Sequence, residues 1–151
     1  MKIRKVCLEI RNELETVGPE CISNANEARD FVYQTIGRRT VENFEAIFMN
    51  YDYVPVEYSI IGIGNDSKTN IDIAEIFKIA LLVNAKHILV AHNHLGSSIE
   101  PSDSDIATTQ KIGSIGKLLN IDLIDSVIIN SRNDYLSIRQ LVLENAENEM
   151  E

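Results

Sequence analysis

No stretch restricts this chain more than Ala91-His92-Asn93-His94-Leu95-Gly96-Ser97-Ser98-Ile99-Glu100-Pro101-Ser102-Asp103-Ser104-Asp105. It follows a continuous apolar run, His87-Ile88-Leu89-Val90-Ala91, which reads as a buried strand. Histidines at i and i+2 on extended backbone point to the same side of a sheet, so the imidazoles of His92 and His94 can converge on one ion. A Gly/Ser loop carries the chain away, and Pro101-Ser102-Asp103-Ser104-Asp105 then opens a helix. That helix start can return Asp105 to the two histidines. Two imidazoles and one carboxylate, with a fourth position left open, are what a catalytic zinc ion requires.

Each piece also has an ordinary explanation. Ser102-x-x-Asp105 before an apolar-periodic segment is a capping box, with Ser102 as N-cap and Asp105 at N3. A His-x-His pair on its own is a weak metal signal. The combination of strand end, Gly/Ser loop and helix start is far more specific. The two roles of Asp105 do not compete, since one carboxylate oxygen can cap while the other ligates.

Composition narrows the class. At 151 residues, with 44% hydrophobic and 25% charged residues, the chain suits one globular domain with a real core. A formal charge of −9, from 23 acidic against 14 basic residues, argues against a protein that grips nucleic acid through its phosphates. No apolar run approaches the ~20 residues of a membrane span, and the basic start Met1-Lys2-Ile3-Arg4-Lys5 lacks the apolar core of a signal peptide. Cys7 and Cys21 have neither CxxC spacing nor metal-like partners and read as free thiols, so a cytoplasmic location is expected.

The remaining pattern alternates strands and helices. Val6-Cys7-Leu8-Glu9-Ile10 could form an edge strand before the break at Gly18-Pro19. Asn24 or Asn26 can cap a helix to about Arg39, with Phe31, Val32, Thr35 and Ile36 on its apolar face. In Val41 to Met49, Phe44, Ala46 and Phe48 alternate as the inward face of a strand; Glu42 shares their parity, and Glu45 is expected at the surface. Val54 to Gly62 reads as the returning hairpin strand, with Pro55 marking an edge or a start. Gly62-Ile63-Gly64-Asn65-Asp66-Ser67-Lys68 reads as a loop without phosphate-loop spacing. Asn70 is expected to cap a helix from Ile71 to Asn84 whose inward residues include Phe77, Ala80 and Leu81. The helix after Asp105 should run to about Asn120 with Ile112, Ile115, Leu118 and Leu119 inward, and Gly113 and Gly116 allowing close backbone approach. Ile121 to Ile129 is a further strand, and Tyr135 to Ile138 a short last one. A hairpin followed by alternating strands and helices gives an α/β fold, a sheet sandwiched by helices.

His92-x-His94, seven residues, Ser102, two residues and Asp105 together resemble the metal motif of the JAB/MPN (JAMM) metallohydrolases. The wording around it is similar to the RadC branch, whose His-Asn-His-Pro-Ser-Gly-Asp-Pro-Thr-Pro-Ser matches His92 to Ser102 in length and at both ends. The resemblance runs from about Asn26 to about Ile138. It implies a JAB/MPN-type mixed β-sheet sandwiched by helices, a cytidine-deaminase-like architecture, with zinc on His92, His94 and Asp105. The family's Glu-His-Phe is similar to Glu42-Asn43-Phe44, which implies that Glu42 holds the zinc-bound water as general base. Ser102 is then placed to stabilise the oxyanion. Departures are Leu95 for proline, Gly96 to Glu100 for Ser-Gly-Asp-Pro-Thr, and Ser126 for the histidine of Asp-His-Ile-Ile-Val. The family's N-terminal helix-hairpin-helix module is not expected in this chain. The expected division is an N-terminal extension at 1–24, the RadC-like domain at 25–143 and an acidic tail at 144–151.

Rival His-x-His chemistries fit poorly. A (β/α)8 barrel needs at least ~200 residues, and a zinc deaminase needs Pro-Cys-x-x-Cys, which is absent from the sequence. A structural zinc would want a fourth protein ligand, and His87 stands at the far end of the metal strand. The expectation is a zinc-dependent metallopeptidase or isopeptidase acting on a peptide or isopeptide segment, without duplex DNA or a membrane as partner. Two alternatives stay open: a DNA-repair-associated protein, and a non-hydrolytic scaffold module.

Overall fold

The computed structural model describes residues 19–64 and 71–142. Helix α1 (Ala25–Val32) starts where Asn24 Oδ1 accepts the Asn26 and Glu27 backbone N–H groups, each at 3.0 Å. Glu27 reaches back to the Ser23 N–H at 2.7 Å, so both ends of the first turn are satisfied. The expected single helix to Arg39 is instead α-helical only to Val32, followed by a π-helical turn over Tyr33–Gly37. There the Thr35 hydroxyl lies against the Phe31 and Val32 carbonyls at 3.3 and 3.0 Å, back-bonding of the kind that bends helices.

Strands β1 (Glu42–Met49), β2 (Pro55–Gly64), β3 (His87–His94), β4 (Asp122–Asn130) and β5 (Tyr135–Ser137) form one sheet in the order β2-β1-β3-β4-β5. Only β3 and β4 are parallel; helix α3 (Asp103–Leu119) provides the crossover that a parallel pair needs. Helix α2 (Ile73–Leu82) joins β2 to β3. Pro55 starts an edge strand, where its missing N–H costs nothing. The sheet has two buried faces. On one, Phe31, Val32 and Ile36 pack over Ile47, Met49, Leu89, Val127 and Ile129. On the other, Ile76, Phe77 and Ala80 of α2 and Ile112 of α3 pack over Ala46, Phe48, Ile88 and Val90. This is the expected mixed sheet sandwiched by helices.

Several local expectations are corrected. Glu45, expected at the surface, is fully buried, because α1 covers the face that simple alternation assigns to water. Leu118 is 86% exposed and Leu119 40%, although both were expected inward. Leu118 stands roughly 120° around the helix from buried Ile112, and Leu119 ends the last turn. Leu81 also faces outward, at 59% exposure. The cap of α2 is Asp72, whose Oδ1 accepts from Glu75 N–H at 3.3 Å; Asn70 lies outside the described residues. Gly62 to Gly64 belong to β2, while residues 65–68, the strand expected over residues 6–10 and the acidic tail lie outside the description. Of the two helix glycines, Gly116 makes the close approach: a Cβ there would strike the Ile121 carbonyl oxygen, whereas Gly113 meets only the Leu123 side chain at 3.8 Å. Among the described residues, no helix is long and apolar enough to cross a membrane.

The buried Glu45 carries its own consequence. One carboxyl oxygen lies 2.7 Å from the Thr35 hydroxyl, and the other has no partner among the described residues. Burial raises its pKa from 4.5 to about 8, with the Thr35 bond and the Arg39 charge offsetting only part of the rise. The group therefore stays protonated in the fold at pH values where the unfolded chain has released the proton. Its contribution to stability is full below pH 4.5, declines as pH rises toward about 8, and is flat beyond. Glu45→Gln is expected to match the parent near pH 4.5 and to become relatively more stable with rising pH, by at most about 1.4 kcal/mol per pH unit. Urea unfolding at pH 5, 7 and 9 checks this; a pH-independent difference would contradict it.

Candidate metal centre

The strand that organised the sequence is the middle of the sheet, and its last residues emerge at the edge of the core. His92 and His94 share parity with Ile88 and Val90, so they project on the α2/α3 face. His92 is 9% exposed, its ring stacked on Phe44 with centroids 6.1 Å apart. His94 is half-buried at the strand end. Their Nε2 atoms approach to 3.1 Å. His94 Nδ1 lies 3.1 Å from the Ser98 carbonyl oxygen. A carbonyl can only accept, so that contact places the ring proton on Nδ1 and turns the Nε2 lone pair into the site.

The third group arrives from α3. Ser102 Oγ accepts the Asp105 N–H at 3.1 Å, and Asp105 Oδ2 accepts the Ser102 N–H at 2.8 Å, completing the capping box. The other oxygen, Oδ1, stands 3.5 Å from His92 Nε2. Capping and convergence are thus divided between the two oxygens of one carboxylate. Burial pushes the Asp105 carboxyl up, but the bond and charge of His92, with the backbone and hydroxyl of Ser102, hold it well below the usual carboxylate range. It is ionised throughout the neutral range, as a ligand must be.

These three side chains fit a metal ion. Their ligand atoms all lie within 4.8 Å of one another. Tetrahedral zinc with bonds of ~2.0–2.1 Å needs donor atoms about 3.3 Å apart. The two contacts of 3.1 and 3.5 Å bracket that value. The donor set, two imidazole nitrogens and one carboxylate oxygen, suits zinc and similar divalent ions.

Glu42 opens β1, half-buried and paired with Gly64 of β2. Phe44 lies opposite His92. Glu42 is two residues beyond Phe44 as His94 is two beyond His92, so all four stand on the same face at the same end of the sheet. Ser102 is exposed at the N-cap, beside Asp105. Ser126, the substituted family histidine, sits beside Val90 and is buried one step below the ligands.

Two supporting residues carry no signal in the sequence beyond their amide chemistry. Asn130, fully buried at the end of β4, donates to the Ser97 carbonyl at 3.0 Å and to Asp134 at 2.8 Å. Its Oδ1 accepts from the Arg132 and Asp134 N–H groups, each at 3.0 Å, so one side chain ties the metal loop to the β4–β5 turn. Asn93 spans from β3 to the start of β1, meeting the Asn43 N–H and the Val41 carbonyl. A cavity of about 540 Å³ lies on the α1 face among residues such as Ser23, Leu89, Asp125 and Arg139. It contains none of the three converging ligands, whose chemistry is the better guide to function.

A mixed sheet with His-x-His at the end of its central strand and an aspartate returned by the next helix defines a JAB-type domain. The model of the RadC-like JAB domain matches residues 22–143, and the chain belongs to that family. It is 32% identical over 117 residues to a UPF0758 protein of Staphylococcus carnosus, covering 78% of this chain and 51% of that one. A UPF0758 protein of Finegoldia magna is 29% identical over 119 residues, 79% of this chain and 53% of that one. UPF0758 protein SAOUHSC_01763 of Staphylococcus aureus is 32% identical over 108 residues, 72% of this chain and 50% of that one. The chain thus spans about half the length of the curated relatives it matches, and their names state no activity.

Proposed function

We propose that this domain is a zinc-dependent hydrolase of peptide or isopeptide bonds. The observation that carries the reading is the convergence of His92 Nε2, His94 Nε2 and Asp105 Oδ1, with Glu42 on the same face. Bound zinc would supply Lewis acidity and lower the pKa of water toward ~7. Glu42 takes the proton of the attacking water and passes it to the leaving amine. The Ser102 hydroxyl, already accepting from Asp105 N–H, has its own proton to donate to the developing oxyanion. Residues in all five positions favour an enzyme over a scaffold.

The layout of the sheet supports a reading of the substrate. Among the described residues β2 is the outer strand beside β1, and its Gly64 pairs with Glu42, so its outer side is the sheet edge considered. An extended peptide segment adding there would be held by main-chain hydrogen bonds. Elemental analysis after dialysis, with a screen of fluorogenic peptide and isopeptide substrates, tests the reading. One zinc per chain with zinc-dependent turnover is expected. Zinc below about 0.2 equivalents with no uptake on addition would sink it.

Duplex DNA is not expected to be a partner of this chain, because a net charge of −9 opposes phosphate contacts. An anisotropy titration at about 0.15 M salt should show no micromolar binding; such binding would favour the repair-associated reading.

A further inference from the structure

The ladder between β1 and β3 runs from Met49 opposite His87 to Phe44 opposite His92, and there it stops. One residue further along each strand stand Asn43 and Asn93, each 1% exposed. At this point a side chain continues the pairing. Asn93 Oδ1 accepts the Asn43 N–H at 2.6 Å, and Asn93 Nδ2 donates to the Val41 carbonyl at 3.0 Å. Those two backbone groups flank Glu42 on either side. Asn43 Nδ2 donates to the same Val41 carbonyl at 2.7 Å, closing the cluster.

We propose that Asn93 is a positioning residue that sets where Glu42 stands relative to His92 and His94. This rests on the reading of Glu42 as the proton acceptor. A carboxamide copies a peptide group, offering one acceptor and donors on a planar frame. Asn93 therefore grips the main chain on both sides of Glu42 after the backbone ladder has ended. By strand alternation its side chain lies on the face opposite the histidines, so it holds Glu42 from behind without entering the site. Asn93 also belongs to the same three-residue segment as His92 and His94. Any movement of the β3 end is thus passed to the ligands and to Glu42 together. Only an amide of this length meets both demands. Aspartate lacks the donor and sets a carboxylate against the Val41 carbonyl, and leucine lacks both functions. Glutamine keeps both but adds a methylene. Unpaired buried polar groups are costly, so loss of the amide should let the start of β1 shift.

The test uses Co²⁺ as the probe, loaded into the full chain, and needs no substrate. Visible absorption reports the ligand set, and paramagnetic relaxation of the Glu42 carboxyl carbon reports its distance from the ion through an inverse sixth power. Strong relaxation of Glu42 is expected in the parent. In Asn93→Asp and Asn93→Leu it should fall at least about twofold, as a displacement of ~1 Å would give, while Co²⁺ absorption and affinity stay within about threefold. Asn93→Gln should recover part of the loss. If Asn93→Leu does not fold, the near-isosteric Asn93→Asp decides. A parent that takes up no Co²⁺ overturns the metal reading, and this inference with it. A Co²⁺-loaded parent with unrelaxed Glu42 overturns the role of Glu42 and again this inference. Unchanged Glu42 relaxation in Co²⁺-loaded Asn93→Asp, or loss of Co²⁺ by that variant, overturns the positioning role alone.

Discussion

Glu42→Gln is expected to keep one zinc per chain and to lower hydrolysis by about 10²–10⁴-fold, the range general acid–base groups contribute. The substitution is nearly isosteric. It removes the capacity to accept a proton while leaving a polar side chain at the half-buried start of β1. The metal should be untouched, because the converging ligand atoms belong to His92, His94 and Asp105. Elemental analysis and turnover on the same preparation check both halves. Zinc lost together with activity would make Glu42 a ligand or a structural residue. A fully active variant would remove it from the mechanism.

The second large effect is on the metal itself. His92→Ala should lower zinc affinity by at least about 100-fold, beyond what loss of an outer partner usually costs. Asp105→Asn is the sharper experiment. The amide oxygen can still accept the Ser102 N–H, so the cap of α3 survives, while the charge facing His92 is lost. Zinc binding should weaken with no fall in helix content by circular dichroism. Joint loss of helix and zinc would show that the aspartate matters as a cap. Acid should weaken binding in the parent too. An imidazole nitrogen ligates only when it carries no proton, so zinc affinity is expected to fall as the pH is lowered. Competition with a chromogenic chelator between pH 5 and 8 measures this; affinity constant across that range would argue against histidine ligation.

Much of this centre is legible in the order of residues. Strand parity alone puts His92 and His94 on one side, and the Ser102-x-x-Asp105 spacing alone starts α3 where it begins. The placement of Glu42 beside Phe44's face follows from the same two-residue repeat. These are local periodicities, set by backbone geometry over a few residues, and a sequence displays them directly. The same logic fails for Glu45. Alternation says that it points away from Phe44, but only the docking of α1 decides that this other side is dry. It fails in the same way for Leu118, whose exposure depends on where α3 meets the sheet.

The sequence by itself determined the ligand types, their spacing and the alternation of strands and helices around them. Tertiary structure alone decided which atoms meet. It gave one Asp105 oxygen to the cap and the other to His92, and it turned His94 through the Ser98 carbonyl. It also set Asn93 against backbone groups 50 and 52 residues away. The reason is physical: a hydrogen bond across such a separation depends on which strands become neighbours and in what register. That register is chosen by burial of both sheet faces together, and no short window of residues contains it.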